Sequence, residues 1–299
     1  MMQTSTHGVT FSRQDRREFK RNGFLVLPGA LDRDLVREAR ETVAADNTPD
    51  SGEGLQAMMD ADDEDVELDV EGRGVKMFNG ADGGVCIASA VEEEPFRTIN
   101  ERVFQYARRL VGDDQLEPPD ASTRITLRFP NEEDLLDPEA EQPSDLGTHL
   151  DGIDADSGRL VTIGAAIYVD RVQPRGGGFT VWPGSHRLAG KYFEELDPSE
   201  YGEAGGGLPR WTEDSWDEDG QLRNQFDPIE VSGPPGTVTM WHGHMEHSGG
   251  VSLSPSRTRV ALFTRFHLRE DLYDIEVIAP NPFYGWEALT GVEVGGGVR

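Results

Sequence analysis

A histidine and an aspartate that could share one metal ion stand two positions apart, at His149 and Asp151. In an extended backbone, residues i and i+2 point to the same side, so both side chains could face one ion. A His-x-Asp pair is common by chance and is a weak signal on its own. A metal centre requires at least one further ligand from elsewhere in the chain.

A histidine-rich stretch about a hundred residues later offers that ligand. Residues 235–250 read PGTVTMWHGHMEHSGG, a pattern typical of a strand opened by Pro-Gly and closed by a loop. His242, His244 and His247 are all candidates for the third ligand. Two imidazoles and one carboxylate on one face of Fe(II) leave coordination positions open for a co-substrate and O2. The chemistry expected from this set is oxygen activation at a non-haem iron.

Two arginines, Arg257 and Arg259, stand at the start of a later apolar segment, on the same side if that segment is a strand. A buried arginine needs a carboxylate partner, ideally in a bidentate fork. The distal carboxylate of 2-oxoglutarate, whose other end chelates a metal, would be such a partner. The alternative is a surface ion pair with one of the chain's many acids.

Short strands must position these residues. Segments rich in Val, Ile, Thr and aromatic residues alternate with Gly/Pro turns after residue 120, which predicts an antiparallel β-sandwich or a small barrel. The predicted strands are Arg124–Phe129, Leu160–Val169, Gly178–Trp182, Ile229–Val231, Thr237–His242 and Arg259–His267.

The N-terminal part has a different pattern, helical rather than extended. It predicts helices over 12–21, from Asp32 to about residue 45 and over 95–111, with a short strand at 24–27. Three acid-rich stretches interrupt the chain, and we predict solvated loops there, the last two being lids or acidic surface. They are residues 50–72, 131–145 and 194–228.

Charge dominates the composition of the 299 residues. There are 56 acidic and 28 basic residues, a formal net charge of -28, and only three of the basic residues are lysines. Such a surface repels nucleic acid and anionic membranes, so we expect neither as a partner. It also suggests a halophilic protein from a high-salt cytosol, because salt screens the self-repulsion. An acidic protein from an ordinary cell is the alternative.

The expected location is the cytoplasm. The single Cys86 excludes an internal disulfide. The N-terminus has no apolar segment typical of a signal peptide, and no run of about 18 apolar residues predicts a membrane span. The sequence does not indicate an oligomeric state.

Taken together and in order, these motifs resemble the phytanoyl-CoA dioxygenase-like (PhyH) family of Fe(II)/2-oxoglutarate-dependent oxygenases. The resemblance covers roughly residues 11–45 and 121–268. It is carried by FKRNGFLVLPGALDRDLVREAR, by the His-x-Asp pair, by GGGFTVWPGSHR at 176–187, by PGTVTMWHGHMEHSGG and by the last arginine-led strand.

The resemblance implies a role for each site residue. His149, Asp151 and His247 would be the catalytic iron ligands, and Arg259, with Arg257 as second choice, would bind 2-oxoglutarate. Ser248 would be a further co-substrate contact, although the family's serine is usually one position later, where this chain has Gly249. The remaining candidates, His242 and His244, would then not be ligands, and His186 would be structural.

The resemblance also implies a fold and an activity. The fold would be mainly β with flanking helices around a double-stranded β-helix (jelly-roll, cupin-like) core. We predict a single oxygenase domain over 1–299, in which 1–115 is helical and strand support, 116–270 the core and 271–299 a C-terminal extension. The enzyme would use Fe(II), 2-oxoglutarate and O2 to hydroxylate an unactivated C–H bond of a small-molecule substrate, releasing succinate and CO2.

Two other interpretations fit the same ligands. A cupin-type metal enzyme would use the barrel without 2-oxoglutarate, and a non-catalytic barrel would bind a metal or small ligand. The carboxylate of Asp151 favours hydroxylation over halogenation, since related halogenases have a small residue there. No tryptophan lies near His149, so the sequence does not match the tryptophan-rich signature of ectoine hydroxylases.

Overall fold

The structure is a computed structural model. It describes residues 9–46, 67–70, 73–78, 84–88, 94–119, 123–128, 150–151, 159–195, 227–250, 252 and 259–294. Four α-helices of ten or more residues lie in these ranges: α1 (Arg13–Asn22), α2 (Arg33–Asp46), α3 (Phe96–Val111) and α4 (Ser185–Glu195). A short α5 (Ile275–Ile278) and two 3₁₀ turns (Glu270–Leu272 and Glu287–Leu289) follow near the C-terminus.

The first helix begins and ends where its sequence predicts. Ser12 caps α1 through a reciprocal capping box with Asp15. Gly23 ends it in the left-handed conformation, with φ of 83°. A side chain at Gly23 would also have no room, because a Cβ there would lie 2.4 Å from Nδ1 of His186. The Asn-Gly pair therefore both stops α1 and lets it pack closely on the core.

Eleven strands in the described ranges form two antiparallel sheets. The larger sheet has the order β1-β9-β6-β11-β5-β4-β3-β2 and the smaller one β10-β7-β8. The strands are β1 (Phe24–Leu27), β2 (Glu67–Val70), β3 (Arg73–Phe78), β4 (Gly84–Ala88), β5 (Arg124–Arg128), β6 (Ile163–Tyr168), β7 (Phe179–Val181), β8 (Ile229–Glu230), β9 (Val238–His242), β10 (His247–Gly249) and β11 (Arg259–Phe266).

The two faces of the larger sheet contact different layers. On β6, Ile163, Ala165 and Ile167 belong to the core that packs against the helices. Ala166 and Tyr168 belong to a second core, which faces the smaller sheet. The same alternation on β9 and β11 follows from the period of two along a strand. The space between the sheets is therefore lined by every second residue of β6, β9 and β11.

Most predicted elements are confirmed, and one predicted loop is corrected. The mainly β architecture with flanking helices is confirmed, as are the helices near residues 12, 33 and 96. The loop predicted over 50–72 is wrong for Glu67–Val70, which is β2, paired with β3. Strands β3, β4 and β10 and helix α4 were not predicted from the sequence. The three strands are short, and antiparallel pairing with neighbouring strands completes them.

The other two acid-rich stretches lie almost wholly outside the described residues, so their role as lids or surface stays a prediction. Among the helices that the structure does describe, none combines the length and hydropathy that a transmembrane segment requires.

Candidate metal centre

Asp151 and His247 meet between the two sheets. Nε2 of His247 lies 3.6 Å from Oδ1 of Asp151, and both side chains are almost completely buried. His247 begins β10, where it pairs with Val181 of β7. Two residues separated by 96 positions in sequence therefore converge, as the predicted site requires.

His247 presents a lone pair to the carboxylate. Its Nδ1 lies 2.9 Å from the carbonyl oxygen of Met245. A carbonyl only accepts hydrogen bonds, so Nδ1 carries the proton. Burial lowers the pKa of His247, against the opposing effect of the Asp151 carboxylate, and this favours the neutral ring. Nε2 of that ring is an electron-pair donor directed toward Asp151.

This donor set fits a divalent cation. The gap of 3.6 Å between Nε2 and Oδ1 is too long for a hydrogen bond. An ion with bonds of about 2.1 Å to each atom spans such a gap. The hydrogen bond from Nδ1 to a backbone carbonyl is the usual outer contact of a metal-binding histidine, since it sets the tautomer and the ring orientation.

Two further side chains fix the Asp151 carboxylate. Nε1 of Trp241 donates to Oδ2 at 2.9 Å. Arg265 donates to Oδ1 from Nε at 2.7 Å and lies 2.5 Å from it through Nη2. Neither role was predicted from the sequence, in which Trp241 and Arg265 were not candidate site residues. The available signal was the alternation of β11, which puts Arg265 on the same side as Arg259.

A glycine makes room for the tryptophan. Gly164 of β6 stands directly opposite Trp241 of β9. A Cβ at Gly164 would lie 2.1 Å from Cζ2 of the indole. The ring therefore lies across β6 at the one position without a side chain, which brings its N–H to the carboxylate.

The other predicted ligand, His149, lies outside the described residues, as does Arg257. Within the described ranges, no group of three His, Cys, Asp or Glu side chains comes close enough to hold a metal ion. The assignment of His149 as the third ligand thus stays a prediction.

Arg259 is buried on the interior side of β11. Only 4% of its surface is exposed. Its Nε donates to the carbonyl oxygen of Gly177 at 2.7 Å, and its guanidinium lies over the ring of Phe263, with Cζ 5.9 Å from the centroid. A guanidinium held in this way is a suitable anchor for a carboxylate. Ser248 is also buried, next to His247 in β10.

Three other histidines, His186, His242 and His244, lie on the other side of the larger sheet. His242 follows Trp241 in β9 and so points away from Asp151. It hydrogen-bonds the carbonyl of Pro282, and His244 bonds that of Ala279 at 2.9 Å. His186 packs against His242, with ring centroids 5.5 Å apart. These three rings, which we call the histidine cluster, join the sheet to the C-terminal segment.

The family described as Phytanoyl-CoA dioxygenase (PhyH) matches residues 19–261 of this chain. No curated protein sequence matched the chain.

Several solved structures resemble this fold. The non-haem alpha-ketoglutarate-dependent carbocyclase SnoK from nogalamycin biosynthesis superimposes with a TM-score of 0.54 at 16% identity, over 87% of this chain and 86% of its own. EctD from S. alaskensis, solved with 2-oxoglutarate and 5-hydroxyectoine, gives 0.53 at 17% identity, over 94% of this chain and 86% of its own. AviO1 from Streptomyces viridochromogenes Tue57 gives 0.50 at 18% identity, over 86% and 96%. Identities this low show a shared fold, the double-stranded β-helix.

Proposed function

Because the chain belongs to the phytanoyl-CoA dioxygenase (PhyH) family, whose enzymes depend on Fe(II) and 2-oxoglutarate and consume O2, we propose that it hydroxylates an unactivated C–H bond of a small-molecule substrate. One observation supports this most: the buried imidazole of His247 faces the buried carboxylate of Asp151 across 3.6 Å. Both atoms are electron-pair donors of the kind that non-haem iron binds.

In this proposal His149, Asp151 and His247 hold the iron. Bound Fe(II) supplies the oxygen activation, in which 2-oxoglutarate becomes succinate and CO2 and one oxygen atom enters the substrate. Burial keeps His247 neutral by lowering its pKa, and the carbonyl of Met245 fixes the tautomer by accepting from Nδ1. It keeps Asp151 oriented through Trp241.

Arg259 would bind the distal carboxylate of 2-oxoglutarate, with Ser248 as a second contact. Its burial supports this role, because a carboxylate and a guanidinium attract each other more strongly where water is excluded. The bond from Nε to Gly177 restricts the guanidinium to one orientation.

The surroundings of the pair favour a reaction that must exclude water. The rings of Phe179 and Trp241 lie 5.2 and 5.5 Å from the imidazole of His247, centroid to centroid. Phe263 completes this apolar wall, 5.7 Å from Phe179. Aromatic walls exclude water from reactive species and suit a substrate with apolar C–H groups. We also propose that the whole chain forms one oxygenase domain, in which residues 271–299 extend the core.

Anaerobic reconstitution with Fe(II) and 2-oxoglutarate, followed by exposure to O2, tests the function. We expect succinate in proportion to 2-oxoglutarate consumed, and a product heavier by one oxygen atom when candidate metabolites are screened. His247→Ala and Asp151→Ala should abolish succinate formation, whereas Arg37→Gln, at an exposed position of α2 that pairs with Asp34, should not. Iron binding without succinate would favour the cupin-type enzyme. A protein that binds no iron would favour the non-catalytic barrel.

A further inference from the structure

We propose that Arg265 is a positioning residue, which holds the Asp151 carboxylate in its metal-binding orientation before any metal arrives. This inference rests on the proposed metal site, but it concerns a residue outside the predicted ligand and co-substrate set. Arg265 does not bind the metal; it acts through Asp151.

The hydrogen bonds of Asp151 restrain its carboxylate at both oxygens. Arg265 contacts Oδ1 through two nitrogens, Nε at 2.7 Å and Nη2 at 2.5 Å. Trp241 donates to Oδ2 at 2.9 Å. A rotation of the carboxylate about its own axis would break these contacts. The oxygen that Arg265 holds is also the one that faces Nε2 of His247.

The sheet builds this arrangement from one row of residues. Gly164 of β6 pairs with Trp241 of β9 on one side and with Arg265 of β11 on the other. Gly164 on the central strand β6 therefore lies between two hydrogen-bond donors, Trp241 on β9 and Arg265 on β11. Because the central position has no side chain, the indole lies over it, and both donors reach one carboxylate.

Electrostatics explains why an arginine is needed here. The Asp151 side chain is completely buried, and a buried carboxylate without a cation is costly. Arg265, with 19% of its side chain exposed, supplies that charge when no metal is present. When Fe(II) and the dianion of 2-oxoglutarate bind, their formal charges cancel, as do those of Asp151 and Arg265, which leaves the single positive charge of Arg259. Arg265 therefore repels the metal ion less when 2-oxoglutarate is bound than when it is absent.

The alternative role for Arg265 is to bind 2-oxoglutarate in place of Arg259. The two arginines lie on the same strand and the same face, six residues apart. They are therefore matched controls for each other. A positioning role predicts that each variant affects a different ligand.

The test is a pair of titrations on folded proteins, with thermal unfolding as the folding check. Co(II), an oxygen-stable stand-in for Fe(II), is titrated into wild type, Arg265→Met and Arg259→Met, and 2-oxoglutarate is then titrated into each metal-loaded protein. Arg265→Met should weaken Co(II) binding about 10- to 100-fold, the usual effect of losing an outer contact of a ligand. Arg259→Met should leave Co(II) affinity unchanged and weaken 2-oxoglutarate binding. Arg265→Lys should restore part of the Co(II) affinity, since it keeps the charge.

Trp241→Phe gives an independent result if Arg265→Met does not fold. It removes only the donor to Oδ2, so we expect a smaller loss of Co(II) affinity and a changed absorption spectrum of the bound ion. Wild-type Co(II) affinity in both Arg265→Met and Trp241→Phe would overturn the inference. So would a loss of 2-oxoglutarate binding alone in Arg265→Met. If the wild-type protein binds no metal, the proposed function fails together with this inference. The two outcomes above, in contrast, overturn only the role of Arg265.

Discussion

At the scale of single residues, the site depends on polar side chains that hydrogen bonds hold in one orientation. His247 is restricted by Met245. Asp151 is restricted at both oxygens, and Arg259 by Gly177. A site organised in this way loses little conformational entropy when it binds a ligand, so small changes in its supports should have measurable effects.

Replacing the buried arginine should affect the co-substrate and little else. We expect Arg259→Ala to weaken 2-oxoglutarate affinity by about 2–5 kcal/mol, the usual cost of breaking a buried charge pair. Calorimetric titration of 2-oxoglutarate into the metal-loaded protein measures this. Arg257→Ala is the matched control. If Arg257→Ala has the larger effect, the co-substrate arginine is Arg257.

A single methyl group at Gly164 should damage the site. The Cβ of Gly164→Ala would lie 2.1 Å from the indole of Trp241, so the ring must move and its bond to Asp151 must break. We expect a loss of stability of about 1–3 kcal/mol from overpacking, together with weaker Co(II) binding. Urea unfolding and metal titration measure the two effects. Gly291→Ala has open space around its Cβ and should leave metal binding unchanged, although its own backbone strain lowers stability. Normal Co(II) affinity in Gly164→Ala would contradict this account of Trp241.

At the scale of elements, the C-terminal segment completes the back of the larger sheet. Trp286 stacks on His242, with centroids 5.1 Å apart and ring planes at 10°, and on Phe19 of α1. The carbonyls of Ala279 and Pro282 accept the ring N–H groups of His244 and His242. This segment therefore supports the strand that carries Trp241, from the face opposite the metal centre.

The histidine cluster should make stability depend on pH. Burial lowers the pKa of His186 to about 3 and of His244 to about 4, and it lowers the pKa of His242 as well. A histidine with a lowered folded pKa binds its proton more readily when unfolded. Its contribution is complete above the unfolded pKa of about 6.5 and is lost as the pH falls toward the folded value.

The free energy of unfolding, measured with urea at high salt, should therefore fall between pH 7.5 and pH 4.5. His244→Gln should show a shallower slope, because it removes up to one proton taken up on unfolding. Phe283→Leu is the control: it packs against His186 and His242 but carries no proton, so it should lower stability equally at both pH values. Equal slopes in wild type and His244→Gln would contradict the prediction.

At the scale of the whole molecule, the net charge of -28 sets the conditions in which the chain is stable. Like charges repel across the surface of the folded protein, and salt shortens the range of that repulsion from about 10 Å at 0.1 M to about 3 Å at 1 M. The halophilic interpretation stays a prediction, and it has a direct test.

The unfolding temperature should rise steeply with KCl up to about 1 M and more slowly beyond it, because screening is then nearly complete. Differential scanning calorimetry in a KCl series measures this. Sucrose, which stabilises by exclusion without screening, should produce no such break. An unfolding temperature that is the same at 0.1 and 1 M KCl would rule out charge repulsion as a major term.

The sequence by itself determined the elements whose signals are local. The capping box at Ser12, the Asn-Gly stop and the alternation of β6, β9 and β11 depend on neighbours within a few residues, so they could be predicted. The same alternation put Arg259 on one face of β11. The pairing of Asp151 with His247 could be predicted only because the order of the motifs resembles a known family.

Only the tertiary structure decided what those side chains meet. Strand order brings β9, β6 and β11 side by side, and from that order follow the roles of Gly164, Trp241 and Arg265 at Asp151. Strands β2–β4 and helix α4 also form in that context, without a strong local pattern. The physical reason is that hydrogen bonds across a sheet and contacts between layers join residues far apart in the chain, and no local periodicity records which of them become neighbours.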